Sequence, residues 1–343
     1  MELDSRKRKI LEAIILDYIA TAEPIGSRTI SRKFDLGVSP ATIRNEMADL
    51  EELGFIEQPH TSAGRIPTDA GYRYYVDYLM KKQALNRDVQ QKIQKQLAVK
   101  ICKLEEYIDY SSRLLSQLTN YTSLILAPSF SSGTLQLIKL MLLEPGKCLL
   151  VIITDSGKIE NRIMSIPEEL GEAQLNKISA LITEKFKGVD VSNWGKKELN
   201  KLSDSIFEQK MMISEIIDLM DSVLGEKTER KVYLQGALNI LNQPEFKDIN
   251  KVKNIFELLD NKSVLTHVLD NFEEDNGLSI KIGSENEYEE MQNCSVITAT
   301  YRLNNRVIGS VGILGPTRMH YAESVSMLDY LSRYLSRALN DLN

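Results

Sequence analysis

Ser39, Thr42, Arg44 and Asn45 crowd into one short stretch of the chain, and their side chains are of the kinds that read nucleic acid. An arginine fork matches the guanine edge, asparagine pairs with adenine, and serine or threonine suits phosphates and base edges. A second polar group follows at His60, Thr61, Ser62 and Arg65, and a basic group, Arg28, Arg32 and Lys33, precedes, suited to backbone phosphates. This is the chemistry of recognition rather than of bond making. The three histidines, His60, His267 and His320, and the three cysteines, Cys102, Cys148 and Cys294, are scattered. No histidine-centred triad and no zinc spacing arises among them, so no catalytic constellation, cofactor or metal site is expected. Gly309, Gly312 and Gly315 recur every third residue but fit neither the phosphate-loop nor the dinucleotide fingerprint, and are expected to be strand and turn glycines. The acidic run Glu285 to Glu290 lacks the alternation of a calcium loop and is expected to be a solvated connection.

The elements that must position these groups follow from apolar spacing. After Asp4, a plausible N-cap, Ile10, Leu11, Ile14, Ile15, Tyr18 and Ile19 form one helical stripe that Pro24 ends. Ser27 is expected to cap a short second helix, with Ile30 and Phe34 one turn apart, and Asp35 to Val38 to turn the chain at Gly37. Ser39-Pro40 then opens a third helix with a capping hydroxyl and proline at its first position. Ile43, Met47, Leu50 and Leu53 make its buried stripe; Ala41, Asn45, Ala48 and Glu52 fall within about 40° of the opposite pole, flanked by Thr42 and Arg44. The outward face is small and hydrogen-bonding where a recognition helix contacts bases, and acidic only at its far end. Phe55 to Glu57 and Arg65 to Pro67 read as two strands around a polar loop, the shape of a wing, and Thr68 caps a helix to Met80 whose tyrosines pack inward. Residues 1–80 are thus expected to form a winged helix-turn-helix.

Residues 81–120 lack glycine and proline and carry apolar residues every three or four positions, which predicts a long linking helix. Whether it pairs as a coiled coil or packs on the chain's own next domain stays open at this level. Strands are expected across 121–166, a helix near 173–186, helical stretches over 197–270, a strand pair at 294–302 and 306–314 around Asn304-Asn305, and a last amphipathic helix. This pattern predicts a multidomain α+β chain with one α/β domain, residues 121–190 and 291–343, interrupted by a mostly helical insertion at 191–290.

Composition bounds the function. The chain has 343 residues, 43% hydrophobic and 26% charged, values of a soluble globular protein with two or three domains. Nor does any stretch reach the roughly 18 uncharged apolar residues of a membrane span, and no secretory signal is read at Met1. Sparse, odd cysteines fit a reducing cytoplasm. The net charge of −6 argues against bulk attraction to nucleic acid. Nine of the ten basic groups of residues 1–80 nevertheless lie at 6–9, 28–33, 44 and 65, leaving room for a local basic face.

Three segments carry a family resemblance: EPIGSRTIS at 23–31, VSPATIRNEMADLEELGFIEQPHTSAGRIPTDAGYRYYVD at 38–77, and NRVIGSVGILGPTRMHYAESVSMLDYLSRYLSRAL at 305–339. The chain resembles the HrcA family of heat-inducible transcription repressors from end to end. Val38 to Asp77 is the most specific part, and about 190–290 carries few diagnostic residues. The resemblance implies that the interrupted domain is GAF-like and that the insertion dimerises. It further implies a homodimer binding a long inverted-repeat operator of double-stranded DNA upstream of chaperone genes, and the chaperonin GroEL as a partner. The alternative is a winged-helix repressor that responds to a small-molecule effector held in a pocket of the GAF-like domain, which an apolar, filled interior would argue against.

Overall fold

The computed structural model describes residues 3–60, 63–81, 83–97, 104–128, 134–154, 159–188, 230–270, 277–303 and 306–341. It is mixed α+β and divides into two compact units, residues 1–127 with 231–342, and residues 128–230.

The first unit opens with three helices, α1 (Ser5–Thr21), α2 (Ser27–Lys33) and α3 (Pro40–Glu52). Asp4 starts α1 as expected, its carboxylate accepting the N–H groups of Arg6 and Lys7 at 2.9 Å each. Ile10, Leu11, Ile14, Ile15, Ile30, Ile43 and Leu50 are fully buried, each stabilising the fold by about 1.5–3 kcal/mol. Two short antiparallel strands follow, β1 (Ile56–Glu57) and β2 (Ile66–Pro67), then α4 (Asp69–Tyr74), which continues as a π turn over Tyr75–Leu79. Tyr72, Tyr74 and Tyr75 are buried, so these rings pack rather than stack on bases, while Tyr78 is exposed.

The region 81–120 differs from a single helix starting at Lys81. Residues 83–86 are not helical; α5 covers Arg87–Leu97 and α6 covers Leu104–Thr119. The stripe of α6 meets the chain's own sheet, next to β3 (Thr122–Leu126). All five residues of β3 are buried, because helices cover both of its faces.

In the second unit β4 (Leu135–Glu144), β5 (Lys147–Thr154) and β6 (Ile159–Ser165) form an antiparallel meander in that order, with α7 (Glu172–Phe186) against one face. Ile138, Leu140, Leu150 and Ile152 fill the space against Leu175, Ile178, Ile182 and Phe186. The opposite face is open and carries two apolar rows, with Leu137, Met141, Ile159 and Ile163 40, 48, 61 and 66% exposed, separated by the row Lys139, Val151 and Asn161. Pairing aligns Met141, Leu149 and Ile163 in one row and Leu137, Ile153 and Ile159 in another.

Returning to the first unit, the chain adds β7 (Val232–Gln235), α8 (Ile249–Asp260), α9 (Lys262–Asp270), β8 (Leu278–Ile282), β9 (Cys294–Leu303), β10 (Arg306–Pro316) and α10 (Tyr321–Asp341). The antiparallel sheet runs β7-β3-β10-β9-β8. Leu124, Leu126, Val296 and Leu314 face α8 and α9 through a buried apolar layer with Phe246, Ile255 and Leu265. Alternate positions such as Ile125, Ile297 and Ile313 point the other way, where α6 and α10 pack.

Two sequence expectations change here. The strands at 121–166 do not share a sheet: only β3 joins β7 to β10, while β4 to β6 pair among themselves. The chain also rejoins the first unit at 231, so β7, α8 and α9 pack on the five-stranded sheet and the excursion spans 128–230 instead of 191–290. Alternation reveals strands but not their partners, and β7 was hidden in a stretch that reads as helical, where α8 and α9 match the helices expected. The helices expected at 197–229 and the Asn304-Asn305 turn lie outside the described residues. The expected strand pair and final helix match β9, β10 and α10, and Gly309, Gly312 and Gly315 all lie within β10.

Cys148 and Cys294 are buried free thiols, and burial pushes the Cys294 thiol up to about 12, which leaves it protonated and inert; Cys102 lies outside the described residues. Among the described residues no group of three or more His, Cys, Asp or Glu is placed to hold a metal, and no helix is long and apolar enough to cross a membrane.

Candidate nucleic-acid interface

Helix α3 is built from its ends inward. Ser39 Oγ accepts the Thr42 N–H at 3.2 Å and lies 3.0 Å from Thr42 Oγ1, so both hydroxyls mark the first turn, with Pro40 at the first helical position. Gly37, at φ +66°, makes the turn from α2 in the left-handed region that a side chain resists. Ser27 is not the cap of α2: Gly26 takes that position without a side-chain bond, and Ser27 is buried as the first helical residue.

Ile43, Met47 and Leu50 anchor α3 inward, and Ala41, Arg44, Asn45, Ala48 and Glu52 are all exposed, the faces that the helical period predicts. Arg44 and Asn45 have no side-chain hydrogen bond or ion pair among the described residues. The acids that could have neutralised Arg44 are engaged elsewhere. Glu51 accepts Arg65 Nε and Nη2 at 2.8 Å each, and Asp49 meets Lys7 Nζ at 3.0 Å. Glu46 takes Lys7 at 2.8 Å and Arg6 at 3.3 Å. Hydrogen bonds from Lys7 to Glu46 and Asp49 raise its pKa, so the ammonium stays charged as a tie between α1 and α3.

The strand pair beside α3 is shorter than expected by one residue on each side, with Ile56 opposite Pro67 and Glu57 opposite Ile66. Ile25 adds a third line, its N–H donating to the Arg65 carbonyl at 3.0 Å and its carbonyl accepting Arg65 N–H at 2.9 Å. Within the loop, His60 is exposed, its carbonyl accepts the Ala63 N–H at 2.8 Å, and Gln58 Nε2 donates to the Ala63 carbonyl at 3.1 Å. Thr61 and Ser62 lie outside the described residues. Thr68 caps α4 as expected and also donates to the Gly54 carbonyl at 2.6 Å, tying α4 to the end of α3.

The basic candidates therefore divide. Arg28, Arg32 and Arg44 are exposed without side-chain partners among the described residues. Lys33 Nζ meets Asp17 Oδ1 at 2.6 Å, and Asp17 is only 8% exposed, so this pair ties α2 to α1. Arg65 lies against α3. Sequence reasoning missed these ties because they join residues 14 to 42 positions apart; the acids near Arg44 were visible, but not which cation would reach them. The run Glu285 to Glu290 also departs from a merely solvated connection: Glu285 binds Arg73, and Glu287 meets Lys281 at 2.9 Å and His267 at 3.1 Å.

A family profile described as HrcA protein C terminal domain matches residues 105–325. A heat-inducible transcription repressor HrcA of Desulfitobacterium hafniense is 44% identical over 341 residues, covering 99% of this chain and 98% of that protein. Its namesake in Pelotomaculum thermopropionicum is 43% identical over 339 residues, 99% of this chain and 97% of that protein. Both matches include the three helices and strand pair that precede the profile's span. A solved crystal structure of a hypothetical protein superposes with a TM-score of 0.60 at 24% identity, covering all of both chains, a likeness of fold.

Proposed function

The chain belongs to the HrcA family of heat-inducible transcription repressors, and from that premise we propose that it represses heat-shock genes by occupying an inverted-repeat operator as a homodimer. It is a repressor and not an enzyme. In this reading residues 1–80 act as a winged helix-turn-helix, with α3 entering the major groove, the loop at 58–64 serving as the wing, and the sheet domain being GAF-like. The carrying observation is the outward face of α3, where Arg44 and Asn45 are exposed and uncommitted beside the capped N-terminus at Ser39. Ser39, Thr42, Arg44 and Asn45 contact base edges and nearby phosphates; His60, Thr61, Ser62 and Arg65 belong to the wing; Arg28, Arg32 and Lys33 meet backbone phosphate.

Dimerisation through the unit at 128–230 is supported by the open apolar face of β4 to β6, a surface of the kind that proteins cover with other proteins. Loss of the folded dimer on heating relieves repression in the cytoplasm, with the chaperonin GroEL restoring competent protein. The buried, apolar lining between the sheet and α8 and α9 offers no convergent polar set for an effector there. Gel-shift titration of an inverted-repeat duplex at several salt concentrations, with particle mass measured in parallel, tests the reading. A dimer with a steep salt dependence and a preference over random duplex is expected, and a monomer indifferent to sequence overturns it.

A further inference from the structure

Three attachments join the DNA-binding module to the sheet domain inside the first unit. On one side Asp69, at the start of α4, accepts the Ser284 N–H at 2.8 Å. Gly283 precedes it at φ +51°, and a Cβ there would overlap the Asp69 carboxylate. One turn further on, Arg73 grips both oxygens of Glu285, donates to the Ile280 carbonyl at 2.6 Å, and meets Asp77 of its own helix at 3.3 Å. In the centre Tyr72 and Tyr321, 2% and 1% exposed, meet with ring centroids 5.9 Å apart. On the other side Arg318 of the sheet domain donates to the Ile19 carbonyl of α1 at 3.1 Å while Glu245 and Gln243 hold the rest of its guanidinium.

A head tethered only by a linker would leave Asp69 and Arg73 to water. Here a planar arginine fork with acceptors on two backbone directions resists rotation as well as separation. Attachment at three separated places removes the remaining freedom, and Thr68, bonded to the Gly54 carbonyl, passes the setting of α4 to the end of α3.

We propose that Arg73 is a positioning residue for operator recognition: clasped with Asp69 against Gly283, Ser284 and Glu285, it sets the angle at which α3 leaves the sheet domain, so that half-site spacing becomes part of what the repressor reads. This rests on the dimeric-repressor reading above. A rigid presentation makes simultaneous engagement of two half-sites strongly dependent on their separation, whereas a loose one tolerates many separations at a lower effective concentration. Arg73 acts through α4 and α3, without itself touching DNA.

The test uses the full chain and an inverted-repeat duplex that the wild-type protein selects from a random pool. Affinity is measured on that duplex, on versions with the half-sites moved by single base pairs, and on one half-site alone. Wild type is expected to lose about tenfold or more away from its best spacing, while Arg73→Ala and Glu285→Ala flatten that difference to about twofold and leave half-site affinity within about twofold. The double variant is expected to match the single ones, because both remove the same clasp. Glu285 is an acid on the sheet domain, so its effect cannot be a lost phosphate contact, and it serves should Arg73→Ala fold poorly. An unchanged spacing profile, or an equal loss on half-site and full site, overturns the positioning role alone. Wild type that binds one half-site as tightly as two overturns the dimeric reading and the positioning role with it.

Discussion

Two surfaces of this chain carry side chains that the fold leaves uncommitted, and their chemistry is opposite. The outward face of α3 offers Arg44 and Asn45, polar groups without partners among the described residues. The outward face of β4 to β6 offers Leu137, Met141, Ile159 and Ile163, which are 40 to 66% exposed. The first surface suits a charged, hydrogen-bonding polymer and should weaken with salt. The second suits an apolar partner and should hold in salt, since area removed from water sets its strength. In the proposed reading, affinity for DNA and assembly belong to separate units of the chain, and experiments can separate them.

The largest effect is expected at the apolar face. Met141→Asp with Ile163→Asp should leave a monomer by light scattering and lower affinity for the inverted repeat by about 100-fold, with half-site binding unchanged; a dimer that survives removes that face from the interface. Next comes Arg44→Ala, expected to cost about 1–3 kcal/mol on the cognate duplex and little on random sequence, so that preference relaxes. Equal losses on both would take Arg44 out of the base-reading set. Arg28→Ala and Lys33→Ala should weaken all duplexes about equally and lower the salt slope by about 1 each. Only Lys33→Ala should also lower Tm, because it leaves Asp17 buried and unpaired. If both variants melt alike, the tie between α1 and α2 carries no stability.

A smaller, conditional effect concerns the clasp that orients α3. Burial raises the Glu285 carboxyl, but the Arg73 and Ile282 donors outweigh burial and hold it below its ordinary value. A carboxylate depressed in the folded state adds stability above its unfolded pKa and loses it as pH falls through the folded value. Half-site spacing preference should therefore persist at neutral pH and fade only below the ordinary carboxylate range; a change centred near neutrality would point to another group.

The N-terminal module was legible because its signals are local. Asp4, Ser39-Pro40, Gly37 and Thr68 act on backbone within a turn of themselves, and Ile43, Met47 and Leu50 declare the buried side of α3 by period alone. Ser27 misled because a serine before an apolar stripe looks like a cap, whereas Gly26 reaches the extended backbone needed and Ser27 is buried. The middle of the chain was harder. Strand character in β4 to β6 was visible, yet nothing in alternation tells whether a strand pairs with β3 or with its own neighbours, and β7 is four residues inside a stretch of helical composition.

The amino-acid sequence by itself determined the family, the helix α3 and its outward residues, because caps, turns and helical periods are encoded within a few positions. Only the tertiary structure decided which cations are already paired with acids. Lys7, Lys33 and Arg65 meet acids brought close by folding, while Arg44 is spared because Glu51 and Asp49 are already engaged. Charge pairing depends on distance in space, and pairing across 14 to 42 residues follows the packing of helices rather than their order in the chain.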